Sequence, residues 1–374
     1  MAKKPKELEQ TRGSFKMRGL VKNIDRDNAY EEGIRDKQGK HQGDTYRKLN
    51  IGLQTAPDNQ VRLGMFSYEP EKVFMWDSGA RKKNPEYKGE RVEWEKYLEQ
   101  KNNLKASGKA VLQARVGVEY DENDKLISEG MTSYEASELI FENVENEDSV
   151  YIEGDVSYSQ FKNRNDEWVT GTNYNMNRLH LAKDDFDLDD EKYEVQNYYE
   201  QQFVYVTSEV DRDKNKLMVI GRVIDYHKNF VDTTFVVDFS EKAGEDQASM
   251  KKLAESIKKK FKFGDLVTIF GQILNQTVEV KVEEDDNLTG LGGKSQPSHA
   301  KTNKTYNREM TIDGILEWNQ KYYTEEDFAN AGLVEESKED MSDEFGGKSK
   351  PKHDSVFDDE DDEDLDDLGD DLPF

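Results

Sequence analysis

The sequence predicts a mainly β protein with two similar small barrels and a long acidic C-terminal tail. Three observations carry this prediction. Short segments alternate between apolar and polar residues, one motif recurs after each of two predicted helices, and the last residues form a run of carboxylates. At 374 residues the chain has room for two ordinary domains with additional tails.

Alternation predicts the strands of the first half, because side chains in a strand point to opposite faces in turn. The capping-box pair Thr132 and Glu135 then predicts a helix. Three strands, a helix and two strands are the order of an OB-fold barrel, in which the helix stands between strands three and four. The predicted strands are Ser14–Ile24, Tyr46–Thr55, Val61–Tyr68, Ala110–Tyr120 with its partner Lys125–Glu129, Ser149–Tyr158 and Trp168–Leu181.

The second half repeats the theme of strands around a single helix. Apolar residues at helical spacing predict its helix over Met250–Phe261. The predicted strands are Leu217–Tyr226, Phe230–Phe239, Leu266–Leu274, Thr277–Val282 and Arg308–Trp318. The fold class is therefore two OB-fold-like five-stranded barrels, each with a helix between strands three and four, plus a disordered acidic C-terminal tail.

One motif links the two halves. Residues 148–156 and 265–273 both read Asp-x-Val-x-Ile-x-Gly-x-aliphatic, directly after a predicted helix. Glycine inside a strand marks a sharp bend or a close backbone approach, which small barrels need. Strand alternation alone could produce the apolar positions, but the shared Asp and Gly favour duplication of one barrel.

Composition divides the chain into five predicted parts. These are a mobile N-terminus (1–12), an OB-like DNA-binding domain (13–183) with a basic insertion (70–110), a linker (184–198), a second OB-like domain (199–334) and a disordered acidic tail (335–374). The formal net charge is -27, yet residues 1–110 hold 24 basic and 17 acidic residues, whereas residues 335–374 hold 4 and 18. This asymmetry is expected of a nucleic-acid binder with a displaceable tail.

Several classes of site are not supported by the sequence. The chain has no cysteine, which excludes disulfides and thiolate metal sites. It lacks phosphate-binding, hydrolase and zinc-protease motifs, so we predict no catalytic residues, no metal and no cofactor. No apolar run reaches the ~20 residues that a membrane helix needs. We expect a cytoplasmic protein that is not an enzyme.

The alternation also predicts a binding face on the first barrel. If Phe15, Met17 and Val21 point inward, the residues between them point outward. The outward positions combine cations with aromatic rings and no carboxylate, and cations neutralise phosphates while rings stack on bases. The face consists of Lys16, Arg18, Lys22, Tyr46, Lys48, Arg62, Phe66 and Tyr68. The alternative is that Phe66 and Tyr68 pack beneath the insertion.

The insertion interleaves aromatic and basic residues, as expected of a flap that closes over a nucleic-acid strand. Trp76 and Trp94 suit a packed core and base stacking equally well. The candidate contacts are Phe74, Trp76, Arg81, Lys82, Lys83, Lys88, Arg91 and Trp94. Lysines around the second predicted helix are usually a solvated helix face, so the second barrel could bind DNA weakly, bind protein or build a dimer.

The tail supplies the most specific signal. From Asp354 to Phe374 there are 12 acidic residues and no Lys or Arg. The run ends in Asp370, Asp371, Leu372, Pro373 and Phe374, which suits capture by a partner with a pocket for the ring and a basic rim. This ending resembles the C-terminal tip of bacterial single-stranded-DNA-binding proteins, and the length and duplication are more similar to bacteriophage-encoded members of that class.

The resemblance implies a protein that coats single-stranded DNA during replication, recombination or repair and recruits partner enzymes through its tip. It implies the host cytoplasm if the protein is phage-encoded, and a possible homo-oligomer. The alternative is a protein-interaction scaffold whose acidic tail mimics DNA. An enzyme with an accessory OB-fold is a more distant alternative.

Overall fold

A computed structural model describes residues 5–36, 41–123, 125–162, 168–241, 246–281, 302–329 and 331. The architecture is mainly β, which confirms the predicted fold class at this level. The predicted acidic tail, with its tip Asp370–Phe374, lies outside the described residues.

The first half contains eleven strands and three helices in the described ranges. In chain order they are β1 (Gly13–Lys22), β2 (Tyr30–Ile34), β3 (Thr45–Ala56), β4 (Asn59–Tyr68), β5 (Lys72–Asp77), α1 (Ser78–Lys83), β6 (Glu90–Glu93), α2 (Trp94–Ala106), β7 (Lys109–Val111), β8 (Ala114–Tyr120), β9 (Leu126–Met131), α3 (Ser133–Asn143), β10 (Ser149–Lys162) and β11 (Trp168–Leu181). The sequence analysis did not predict β2, which pairs with β3.

Five strands of this half pair in a closed ring. β1 pairs antiparallel with β3 and β10, β3 pairs with β4, and β10 pairs with β11. The ring closes where β4 and β11 run parallel at Gly64 and Asn175. The capping box of α3 is confirmed, because Glu135 N–H donates to Thr132 Oγ1 at 3.2 Å and Thr132 N–H donates to Glu135 Oε2 at 3.1 Å. Apolar residues of these strands, among them Phe15, Leu49 and Leu63, are buried in the core.

The insertion forms a small unit of its own. β5, β6 and β7 make a separate three-stranded sheet, and α2 packs against it. Val73, Met75, Tyr97 and Val111 are buried together as its core. The segment predicted as a flap therefore folds around its own apolar cluster.

Within the described residues, the second half has six strands and one longer helix. They are β12 (Asn197–Asp211), β13 (Lys216–Ile224), β14 (Phe230–Asp238), α4 (Gln247–Lys260), β15 (Leu266–Lys281), β16 (Thr302–Met310) and β17 (Gly314–Asn319), followed by a short 3-10 helix (Glu325–Phe328). Two predicted strands, 266–274 and 277–282, are one continuous strand, β15. The predicted strand 308–318 is divided between β16 and β17, which both run antiparallel to β15. The interruption falls where Ile312 N–H donates to the carbonyl of Val236 in β14.

Pairing in the second half follows the same order as in the first. β12 pairs with β13 and β15, β13 pairs with β14, and β15 pairs with β16. A parallel bridge between Val236 and Thr311 then connects β14 to the residue after β16. The predicted linker 184–198 ends within β12, whose first residues also pair with β1.

The two halves share one hydrophobic core. A single buried cluster includes Phe15 of β1, Leu63 of β4, Phe203 of β12 and Ile269 of β15. The N-terminus contributes as well, although residues 1–12 are predicted to be mobile: Leu8 is 6% exposed and packs in a second cluster with residues of the second half. Each half is therefore stabilised by contacts with the other.

The repeated motif occupies equivalent turns. The side chain of Asp148 accepts a hydrogen bond from Glu145 N–H at 2.8 Å, and that of Asp265 accepts one from Lys262 N–H at 3.1 Å. The residue before each aspartate has a positive φ, 72° in the first half and 87° in the second. The motif therefore specifies the same helix-to-strand turn twice.

The glycines of the motif are equivalent too. A Cβ at Gly154 would lie 2.0 Å from the carbonyl oxygen of Asn175, and one at Gly271 would lie 1.8 Å from that of Thr311. Both carbonyls belong to the segments that close the pairing order of their half. Close backbone approach at the same motif position agrees with the predicted duplication.

Replacing Gly154 with alanine is expected to lower the free energy of unfolding by about 3 kcal/mol, because the added methyl group meets backbone that cannot move aside cheaply. Urea denaturation followed by circular dichroism measures this. Gly64→Ala is the matched control in the same ring, since its Cβ would meet only a side-chain oxygen at 3.3 Å and backbone at 3.8 Å. Equal denaturation midpoints for the two variants would contradict the close approach at Gly154.

Candidate nucleic-acid interface

On the outer face of β3 and β4, predicted site residues lie opposite one another in cross-strand rows. Tyr46 lies opposite Tyr68, and Lys48 lies opposite Phe66. The apolar residues Leu49, Ile51, Leu63 and Met65, which alternate with the outward positions farther along the two strands, are at most 3% exposed. The predicted alternation of these two strands is therefore confirmed, and the aromatic and basic side chains lie outside the ring.

A third row extends this face toward β1. Gly52 of β3 lies opposite both Arg62 of β4 and Lys22 of β1. Lys22 forms an ion pair with Glu147. Gly52 itself is buried, and the side chain of Gln60 fills the space above it, since its Nε2 would lie 2.6 Å from a Cβ at this position. The two cationic residues therefore lie on either side of Gly52.

The aromatic residues of the face contact one another. The rings of Tyr46 and Phe66 stack with centroids 5.8 Å apart, and those of Phe66 and Tyr68 meet edge to face at 5.0 Å. Aromatic pairs at such separations favour these offset and T-shaped arrangements. Phe66 is thus held at the centre of an aromatic row on the ring surface.

Tyr68 is constrained more strongly than the sequence indicates. His41 stacks on its ring at 4.2 Å with an interplanar angle of 8°, and Arg35 donates a hydrogen bond to its hydroxyl. Arg35 is only 8% exposed, and within the described structure its Nε has no hydrogen-bond partner. The loop after β2 therefore clamps Tyr68, which makes Phe66 the better candidate for base stacking. No sequence pattern had indicated Arg35 or His41.

A carboxylate also lies on this face, although the sequence analysis predicted none. Glu31 of β2 stands opposite Lys48 and accepts a hydrogen bond from the Tyr46 hydroxyl. Burial, with a smaller contribution from Glu31, raises the pKa of Tyr46 to about 12. Burial lowers the pKa of Lys48, while Glu31 acts in the opposite direction. The error has a simple origin, since β2 was not predicted as a strand.

Two predicted contacts lie elsewhere. The segment of β1 that contains Lys16 is flanked by β10 and β12, not by β3. Lys16 pairs with Glu153 at 3.5 Å. Arg18 donates its Nε hydrogen to the carbonyl of Glu194 at 2.9 Å, and its guanidinium lies 4.9 Å from the ring centroid of Tyr193. These contacts attach the segment before β12 to the barrel, so Arg18 is used structurally.

The aromatic residues of the insertion are largely used for packing. Trp94 stacks on buried Tyr97 at 5.5 Å and donates its Nε1 hydrogen to Glu69 at 2.8 Å. Trp76 contacts Tyr87 at 5.7 Å. Phe74 is half-buried in the separate insertion sheet. The predicted cations of the insertion remain exposed, but the structure does not include them in the β3–β4 rows: Arg81, Lys82, Lys83, Lys88 and Arg91.

The β10–β11 hairpin offers an exposed element that sequence reasoning missed. Lys162 Nζ lies 5.4 Å above the ring of Trp168, which is 42% exposed. Farther along the hairpin, Thr170 Oγ1 donates to the carbonyl of Asp232 in β14 at 3.4 Å. The signal was present in the sequence, because aromatic and basic residues flank a polar turn.

On the corresponding face of the second half, basic side chains form ion pairs with carboxylates. Arg222 makes a bidentate ion pair with Asp232 at 2.7 and 2.9 Å. Lys216 contacts Glu309 at 2.6 Å and Asp238 at 3.6 Å. Arg222 and Lys216 on these strands are therefore already paired with carboxylates.

Other kinds of site lack support. In the ranges given above, no group of three or more His, Asp or Glu side chains could hold a metal ion. None of the helices found there combines the length and hydropathy that a membrane crossing requires. The aromatic and basic rows are therefore the best-defined candidate site on the described surface.

Comparison with known proteins gives a family and a distant likeness. The chain has no significant match among curated proteins. The wild-type single-stranded DNA binding protein from Thermus aquaticus aligns at 9% identity and a TM-score of 0.34, over 83% of this chain and 94% of that chain. A deletion mutant of the same protein aligns at 8% identity and a TM-score of 0.33, over 82% of this chain and 95% of that chain. Likeness at this level indicates no shared activity. The YorF family model matches residues 82–348, most of the sequence, and the chain therefore belongs to the YorF family.

Proposed function

We propose that the chain binds single-stranded DNA on the outer face of β3 and β4. The observation that carries this proposal is the arrangement of aromatic and basic side chains in adjacent cross-strand rows. The rings of Tyr46 and Phe66 stack, Lys48 lies opposite Phe66, and Lys22 and Arg62 lie on either side of Gly52. Rings provide stacking surfaces for bases, worth ~1–3 kcal/mol each, and cations neutralise the phosphates. Strands two and three of an OB-fold barrel carry this chemistry in many nucleic-acid binders.

We also propose that the fold consists of two OB-like domains with different roles. Each half is an OB-like barrel of five principal strands, with α3 and α4 in equivalent positions between strands three and four. The first barrel (13–183) binds DNA, and the second (199–334) supports it, since its corresponding cations are already paired with carboxylates. The hairpin residues Lys162 and Trp168 extend the path of the strand beyond the face.

The wider role follows from the tail. We propose that the protein coats and protects single-stranded DNA during replication, recombination or repair in the cytoplasm, and that residues 370–374 recruit partner enzymes. The acidic run and its apolar tip support this, because a ring beside carboxylates suits a pocket with a basic rim. A phage origin and a homo-oligomer are parts of the same proposal.

Binding is expected to prefer single strands and to depend on salt. Neutralising roughly five phosphates should give a slope of log affinity against log salt of about −3 to −4, at ~0.7 per contact. Fluorescence anisotropy with labelled oligo-dT, oligo-dA and a duplex of equal length measures both properties. We expect similar affinity for the two single strands and much weaker affinity for the duplex.

Equal affinity for duplex and single strand would reject the proposal. Absence of DNA binding at low salt, together with stable capture of a protein partner, would favour the interaction scaffold instead. A divalent-metal-dependent change in the DNA would indicate an enzyme. The duplex and a metal-free buffer serve as controls for these outcomes.

A further inference from the structure

Helix α4 carries a cationic face. Ala254 and Ile257 are buried on its inner side. The outer side of the helix and Lys262, two residues beyond its end, are exposed and together hold six lysines with one glutamate. Within the described residues none of these lysines forms an ion pair: Lys251, Lys252, Lys258, Lys259, Lys260 and Lys262. In a chain with a net charge of -27, so many uncompensated cations on 12 consecutive residues need an explanation.

The described chain ends beside this face. Phe328 of the final 3-10 helix packs edge to face against Phe263, with ring centroids 6.4 Å apart. Ala331 contacts the same apolar cluster. Because Phe263 directly follows Lys262, the last described residues lie near the C-terminal end of α4.

The charge of that segment complements the helix. Twelve carboxylates occur between Asp354 and Phe374 without a single Lys or Arg. A polar chain of 22 residues, the distance from 332 to the start of this run, spans roughly 25 Å, and the helix is about 21 Å long. Tethering at such a range gives an effective concentration on the order of millimolar, so that weak electrostatic contacts suffice for docking.

We propose that the lysine face of α4 is a docking site for the chain's own acidic segment, residues 354–374. The site is distinct from the β3–β4 face and belongs to the other half of the fold. Docking there would hold the carboxylates away from Tyr46, Phe66 and Arg62, and would leave the segment available to a partner that competes for it. The inference does not depend on DNA binding, because both the site and its occupant lie in one chain.

The first test uses the absence of cysteine in the chain. A Ser355→Cys variant of the full chain, labelled with a fluorophore, reports the mobility of the acidic segment through its anisotropy. We expect a high value at 10 mM salt that falls severalfold toward the free-dye limit at 1 M salt, where the Debye length shrinks from about 30 to 3 Å. A value independent of salt and protein concentration would overturn the proposal.

Matched variants locate the site. Changing Lys258, Lys259 and Lys260 to glutamine in the labelled chain should reduce the low-salt anisotropy to its high-salt value. The control is Lys82→Gln with Lys83→Gln, which removes exposed lysines from the insertion and should leave anisotropy unchanged. If the control variant releases the segment and the α4 variant does not, the segment docks on the insertion and the proposal is wrong.

A further measurement separates docking from DNA contact. At 0.3 M salt, where docking is screened, the α4 variant should bind oligo-dT within twofold of the unmodified chain. A loss as large as that caused by Arg62→Gln would mean that α4 contacts DNA, and this would overturn the assignment. If oligo-dT binds neither chain, the proposed function fails while the anisotropy result stands independently.

Discussion

Phe66→Ala is expected to weaken binding of oligo-dT by about 1–3 kcal/mol, or roughly five- to 150-fold, because one base loses its stacking partner. Phe66 is the best-placed ring for this role: Tyr46 and Tyr68 contact it on the outer face, and no part of it belongs to the buried core. Anisotropy titration at 0.1 M salt measures the change. Phe66→Tyr preserves the ring and should retain most of the affinity.

Tyr226→Ala provides the matched control. Tyr226 is 77% exposed in the loop between β13 and β14, so its removal takes away an aromatic ring of similar size from the other half. We expect no change in oligo-dT affinity for this variant. Thermal denaturation should be similar for all three variants. If Phe66→Ala unfolds the protein, the ring is structural, and if it binds DNA normally, the proposed face is wrong.

Phe374→Ala is expected to abolish recruitment of a replication or repair enzyme while leaving oligo-dT affinity unchanged. The substitution removes the largest apolar group of residues 370–374 but no charge. Pull-down from host lysate, with the unmodified chain and Phe374→Trp for comparison, measures recruitment. The tryptophan variant tests whether a different large ring restores capture.

Two outcomes would contradict this role. If Phe374→Ala retains the same partners as the unmodified chain, the acidic segment acts only through charge, and the resemblance to single-stranded-DNA-binding proteins is misleading. If the variant loses DNA affinity, the ring contacts DNA instead of a partner. Asp370→Asn with Asp371→Asn should weaken capture less at high salt, since the rim contribution is electrostatic.

The sequence predicted those features that depend on local patterns. Alternation identified the inner and outer faces of β1, β3 and β4, and apolar spacing located α3 and α4. The repeated Asp and Gly indicated equivalent turns, which the structure shows with matching hydrogen bonds and backbone approaches. Each of these follows from a side chain's relation to its own backbone.

The composition of the site required the tertiary structure. Lys16, Arg18 and Lys22 alternate on one side of the same strand, yet only Lys22 lies in a row with β3 and β4. The reason is that β1 changes partners along its length, pairing with β12 up to Met17 and with β3 from Leu20 onward. The alternation of side chains along a strand shows which face a residue lies on, but it contains no information about which strand lies beside it.

By itself, then, the sequence determined the mainly β class, the inner and outer faces of β1, β3 and β4, the helices α3 and α4, and the separation of charge along the chain. Only the tertiary structure decided that Glu31 joins the aromatic and basic face, that Arg35 and His41 clamp Tyr68, and that β12 unites both halves around one core. These depend on contacts between residues far apart in sequence, whose formation is governed by the packing of whole strands and loops and not by any local pattern.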